Sequence, residues 1–215
     1  IAPEKTYGSI LSSLQSKLGK FDSKEIAELT STDTINFEDI GNKKTAVYVI
    51  SSDTHTAYDF LLTIFFSQMI QQLYDYADQN GGRLKEQTFF ILDEFANIGK
   101  IPDFDKKIST SRSRKISFSV ILQNIDQLEA VYEKSYETIM GNCDTHVFLG
   151  SNSFKTVEYF SKALGEKTIG RDSISVNKDK QNHKTGKSVS DQVMARALMT
   201  PDELRRMDND ECIIF

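Results

Sequence analysis

The chain has 215 residues, 39% of them apolar and 27% charged, enough for one sizeable domain with a full core and a small appendage. Its net charge of −5 excludes a surface that coats nucleic acid wholesale, because phosphate binding needs clustered Lys and Arg, so any DNA contact must be local. Two cysteines, Cys143 and Cys212, exclude a disulfide framework or a cysteine metal cluster and make a reducing, cytosolic setting the expectation.

The opening IAPEKTYGSI carries no initiator Met and no signal peptide, and the closing DECIIF reads as a strand halted midway, so a fragment of a longer protein is expected. Over the first forty residues Ile10, Leu14, Leu18 and Phe21 recur at helical spacing, with Gly19 as a stop. TAVYVIS, Thr45 to Ser51, is β-branched and aromatic and reads as a strand buried on both faces. A long apolar helix is predicted from about Thr56 to Gln79, ended by the breaker Asn80–Gly82. Its most apolar part, Phe60 to Ile70, is roughly half the ~20 residues a membrane span requires, so it reads as a core helix.

Next come a strand over Gln87 to Leu92, a basic helix from about Asp103 to Arg112, and a strand over Ile116 to Leu122. The helical YEKSYETIMGN, a strand over Thr145 to Gly150, and the helix SFKTVEYFSKALG with its stop at Gly165 follow. Strands and helices alternating at this spacing predict an α/β fold with a parallel, doubly wound sheet. The polar stretch from Arg171 to Asp191 is expected to be a solvated hairpin or a disordered loop. Thr200, Pro201 and Glu203 spell a capped helix start.

In TFFILDEFANIGK, a buried strand runs directly into Asp93 and Glu94. Ligands of open parallel sheets bind beyond the carboxyl ends of the strands, where acids escape the desolvation cost they would meet mid-strand. FFILDE matches what P-loop ATPases set opposite the nucleotide: Asp93 would hold Mg²⁺, usually through water, and Glu94 would polarise the attacking water. Taken alone, LDEF reads equally as a strand end capping the next helix.

The longer run LDEFANIGKIPDFDKKISTSRSRKISFSVILQNIDQLEAVY resembles the motor domain of the TraG-like conjugative DNA-transfer ATPases, the coupling proteins of type IV secretion. TIMGNCDTHVFLG with TVEYFSKALGEKTI, the ending LMTPDELRRM and the opening APEKTYGSILSSL share that character, so the likeness spans essentially the whole chain. It implies an incomplete RecA-like P-loop NTPase core, a three-layer fold with a mostly parallel sheet, over 43–215. Residues 1–42 would be the tail of, or return from, an inserted all-helical domain.

The resemblance gives Gln123 the role of sensing the γ-phosphate, beside Asp93 and Glu94, and lets Arg112 reach a neighbouring subunit's nucleotide, with Arg114 as the rival for that role. It also implies ATP and Mg²⁺ as cofactors and a homo-hexamer at the cytoplasmic face of the cell membrane, anchored by helices upstream. Its partners would be relaxase bound to single-stranded DNA, accessory proteins and other secretion components. The basic run of Lys106, Lys107, Arg112, Arg114 and Lys115 could face a DNA strand, or be a solvated helix and turn.

The phosphate cradle G-x-x-x-x-G-K-[ST] is absent: KTGKS, Lys184 to Ser188, has Gln181 where the first glycine belongs and no strand before it. The fragment alone is therefore not expected to hydrolyse ATP. His55, His146 and His183 lack metal-site spacing, and Cys143 reads as a packed, inert thiol. Two rival readings stay open: a non-hydrolysing docking module for relaxase or accessory proteins, and a nuclease that would recruit Asp126 to Asp93 and Glu94.

Overall fold

The apolar spacing of the first segment forms helix α1 (Glu4–Leu18), which a 3₁₀ turn (Gly19–Asp22) links to α2 (Lys24–Thr30) and then α3 (Glu38–Asn42). The computed structural model describes residues 4–51, 58–178 and 185–215. His55, His183, the first residues of the predicted core helix and residues 179–184 of the polar stretch fall outside them. The apolar stripe of α1 is left largely uncovered, with Ile10 and Leu14 each more than half exposed.

The predicted core helix is α4 (Asp59–Gln79). It buries Phe66, Met69, Ile70, Leu73 and Ala77 in the main core, the i, i+3, i+4, i+7 pattern of a helix packed along one stripe. Strand β1 (Thr88–Leu92) alternates buried and exposed residues, sending Thr88, Phe90 and Leu92 inward and leaving Phe89 and Ile91 outside. Helix α5 (Phe104–Thr110) and a 3₁₀ turn (Arg112–Arg114) cross over to β2 (Ile116–Val120). β2 lies parallel to β1 in a register pairing Thr88 with Ile116 and Leu92 with Val120, the arrangement a βαβ unit requires.

Helices α6 (Ile125–Tyr132) and α7 (Ser135–Gly141) lead to β3 (Val147–Phe148). Helix thus begins at Ile125, seven residues before the helical pattern that starts at Tyr132. Helix α8 (Phe154–Leu164), the long antiparallel hairpin β4 (Glu166–Lys178) with β5 (Thr185–Ala197), α9 (Pro201–Arg205) and β6 (Ile213–Ile214) complete the fold. The described parts of the polar stretch, up to Lys178 and from Thr185, lie in these two paired strands. β6 runs antiparallel to β3, and a second core of Ile125, Phe148, Val157, Phe160 and Leu204 sits beneath them.

One expected strand does not form. Residues 45–51 carry neither helix nor strand, and Tyr48 and Ile50 are 87% and 94% exposed. β-branched residues favour an extended backbone, but a strand exists only through a ladder with a neighbour. Among the described residues β1 pairs with β2 alone, leaving 45–51 without one.

Candidate functional site

β1 and β2 are parallel and end together, so whatever follows their last residues meets at one sheet edge. The chain turns sharply there. Glu94 adopts a left-handed backbone, φ 47° and ψ 47°, at the head of a 3₁₀ turn (Phe95–Ile98). A non-glycine residue in that region costs of order 1 kcal/mol and persists only where its surroundings enforce it.

The enforcement is visible on both sides. The Phe95 amide donates to the Ile121 carbonyl at 3.1 Å, stitching the turn to the exit of β2, and the Asn97 amide donates to the Glu94 carbonyl at 2.8 Å. The Phe95 ring is fully buried and stacks on Tyr132, centroids 5.5 Å apart and 6° from parallel. The Tyr132 hydroxyl accepts from the Ile101 amide at 3.2 Å, and burial pushes its phenol up to about 12.

At this edge the Gln123 side-chain amide donates to Glu94 Oε1 at 2.9 Å. The Gln123 main-chain amide donates to Gln127 Oε1 at 3.2 Å. Gln127 is itself held by Asn124, whose side chain caps α6. Asp93 stands beside them, its Oδ1 accepting from the Glu94 amide at 3.0 Å. Asp93 and Gln123 are exposed and Glu94 is half-exposed, so the three form an open ledge that a ligand can reach.

This donor set fits the metal side of a nucleotide site. Mg²⁺ binds through one or two carboxylates and keeps waters or phosphate oxygens as its other ligands. Among the described residues no group of three or more His, Cys, Asp or Glu is arranged to hold a metal. Asp126 is engaged elsewhere, its Oδ2 accepting from the Ser153 hydroxyl at 2.5 Å, and among the described residues no cluster joins it to Asp93 and Glu94 as the nuclease reading would need.

The basic residues lie elsewhere. Arg112 and Arg114 precede β2, at the strand end opposite Gln123, and a strand of this length separates the two edges by about 15 Å. Arg114 is committed within the fold. Its Nε and Nη2 donate to the two oxygens of Asp78 at 2.9 and 3.1 Å, and its guanidinium lies 4.8 Å over the Tyr74 ring.

Arg112, by contrast, sits exposed on its 3₁₀ turn rather than on the helix expected for it. Lys106 pairs with Asp103 at 2.7 Å, Lys115 Nζ donates to the Lys85 carbonyl at 3.0 Å, and burial pushes the Lys107 ammonium down. The Cys143 thiol is half-buried, and that burial raises its pKa, as befits an unreactive side chain. His146 is held between the Met140 carbonyl and the Tyr159 hydroxyl.

Solved structures share this fold. The unbound bacterial conjugative coupling protein TrwBdeltaN70 superposes with a TM-score of 0.75 at 15% identity, over 100% of this chain and 48% of its own. TrwB in complex with ADP and Mg²⁺ gives a TM-score of 0.72 at 16% identity, over 99% and 47%. The chain has the RecA-like P-loop NTPase fold and spans about half the length of these solved chains. The family model for the type IV secretory system conjugative DNA transfer proteins matches residues 2–215, and the chain belongs to that family.

Among its relatives, Protein VirD4 of Rhizobium radiobacter is 27% identical over 193 residues, 88% of this chain and 27% of the relative. The conjugal transfer protein TraG of Escherichia coli is 26% identical over 216 residues, 95% and 34%. The chain therefore spans about a quarter to a third of the relatives it matches.

Proposed function

We propose that this chain supplies the hydrolytic half of an ATP-driven coupling protein that moves DNA into a type IV secretion channel. The observation that carries the reading is the Gln123–Glu94 hydrogen bond at 2.9 Å, which joins the carboxyl ends of two parallel strands beside Asp93. Asp93 holds the metal side of the site through water, Glu94 takes a proton from the attacking water, and Gln123 reads the terminal phosphate. Bound Mg²⁺ would neutralise charge on the phosphates during transfer. The phosphate cradle lies in another part of the whole protein, and residues 1–42 are the tail of, or the return from, the helical insertion that separates it from this core.

Arg112 acts on a neighbouring subunit's nucleotide. It stands at the far edge from its own ledge, exposed, while Arg114 is tied to Asp78 and Tyr74. A permanently charged planar donor suits a transferring phosphoryl group. The assembly is a hexamer on the cytoplasmic face of the membrane that receives relaxase carrying single-stranded DNA and engages accessory and channel proteins. Lys106 and its neighbours make at most a local contact to that DNA. Among the described residues no helix is long and apolar enough to cross a membrane, so anchoring would come from elsewhere in the protein.

The test is Glu94→Gln in the whole protein. ATP hydrolysis should fall at least about a hundredfold, DNA transfer should cease, and Mg²⁺–nucleotide binding should persist. Undiminished hydrolysis would overturn the assignment of Glu94 as the base; a protein without ATP turnover before the substitution that still binds its partners would favour the docking-module reading.

A further inference from the structure

The turn that presents Glu94 is pinned at its far end by a residue of another element. The Thr63 hydroxyl, on α4, donates to the Ile98 carbonyl at 2.5 Å across 35 positions of sequence. The Asp59 carbonyl, one turn back in its own helix, is the longer alternative at 3.2 Å. Helical threonines ordinarily bond back to such a carbonyl, so Thr63 has given its short bond to the loop instead. Gly99 follows with φ +83°, and a Cβ there would stand 2.7 Å from the Thr63 hydroxyl oxygen. The backbone can approach Thr63 this closely only because position 99 is glycine.

These contacts bracket the 3₁₀ turn that starts at Glu94. Its entry is stitched to β2 through Phe95 and Ile121, and its exit is held to α4 through Ile98 and Thr63. A left-handed glutamate needs such restraint, since its backbone would otherwise relax and swing the carboxylate off the ledge.

We propose that Thr63 is a positioning residue for Glu94: its hydroxyl, closed against Gly99, keeps the turn wound and the carboxylate beside Gln123. The inference rests on Glu94 being the hydrolytic base. Losing the hydroxyl lowers the fraction of protein with the base in place and leaves nucleotide binding alone, so it appears in kcat and not in KM.

The experiment compares Thr63→Val, Thr63→Ser and Gly99→Ala in the whole protein, with Glu94→Gln alongside. Thr63→Val should lower kcat for ATP about fivefold at unchanged KM, and Thr63→Ser should restore it. Gly99→Ala should reproduce the defect from the opposite side of the contact. Hydrogen exchange of the peptide covering residues 94–101 should quicken in Thr63→Val and not in Thr63→Ser, a readout independent of turnover. Unchanged kcat in Thr63→Val, a rise in KM instead, or failure of Thr63→Ser to rescue overturns the proposal. If Glu94→Gln is inactive and Thr63→Val turns over normally, only the role of Thr63 falls; if Glu94→Gln stays active, the hydrolytic reading itself falls.

Discussion

Arg114 spreads its guanidinium across both oxygens of Asp78 and the face of Tyr74, whereas Arg112, two positions earlier, is exposed on the same turn. Arg114→Ala should therefore cost about 1–2 kcal/mol in urea unfolding, because it removes a bidentate pair and a cation–π contact. Arg112→Ala should stay within about 0.5 kcal/mol. A reversed order would show that the packing, and with it the choice of Arg112 as the residue free to act outward, is misassigned.

Tyr132 adds a pH signature. Its folded pKa is raised by burial, to about 12, while in the unfolded chain it titrates near ~10. The stability it contributes is thus complete below about pH 10 and is lost as pH rises toward about 12. Tyr132→Phe should flatten that alkaline limb of the unfolding curve, and a limb unchanged in the variant would assign the loss to other groups.

Asp93 and Glu94 were legible in the sequence because an apolar run ending in acids is a local pattern. Thr63 and Tyr132 were not. Each acts through a carbonyl or amide more than thirty positions away, a contact without periodicity or spacing.

Helix caps are local, and the sequence spelled them out. The Thr200 side chain accepts from the Glu203 amide while the Glu203 carboxylate accepts from the Thr200 amide, with Pro201 at the first helical position. Thr200→Ala should cost about 1 kcal/mol, read as a lower unfolding midpoint. A neutral result would mean that α9 is held by Leu204 in the second core rather than by its start.

Strands were legible only where the fold provides a partner. FFIL and ISFSV found each other, but TAVYVIS has a strand's composition and no ladder among the described residues. Its failure is tertiary, since propensity orders a strand only against a neighbour. The start of α6 is weakly marked for the opposite reason: its one polar cap, Asn124, follows directly on a strand exit and has the character of loop.

At the scale of the whole molecule, the α/β alternation foretold the layers and the parallel pair, while the antiparallel closure of β3 by β6 lay beyond it. One face of β1 stays bare: Phe89 and Ile91 are 68% and 73% exposed. A doubly wound sheet buries both faces, and uncovered apolar area of this kind drives association. The isolated chain should therefore self-associate, and Phe89→Ser with Ile91→Ser should lower its apparent mass in sedimentation. Equal masses would assign the contact to another surface, such as the stripe of α1.

That bare face also dictates how the isolated chain behaves at the bench. Contact between apolar surfaces weakens on cooling and strengthens with kosmotropic salts. Solutions should therefore cloud on gentle warming, clear again on ice, and precipitate early in ammonium sulfate, the reverse of what charge-driven clumping would give.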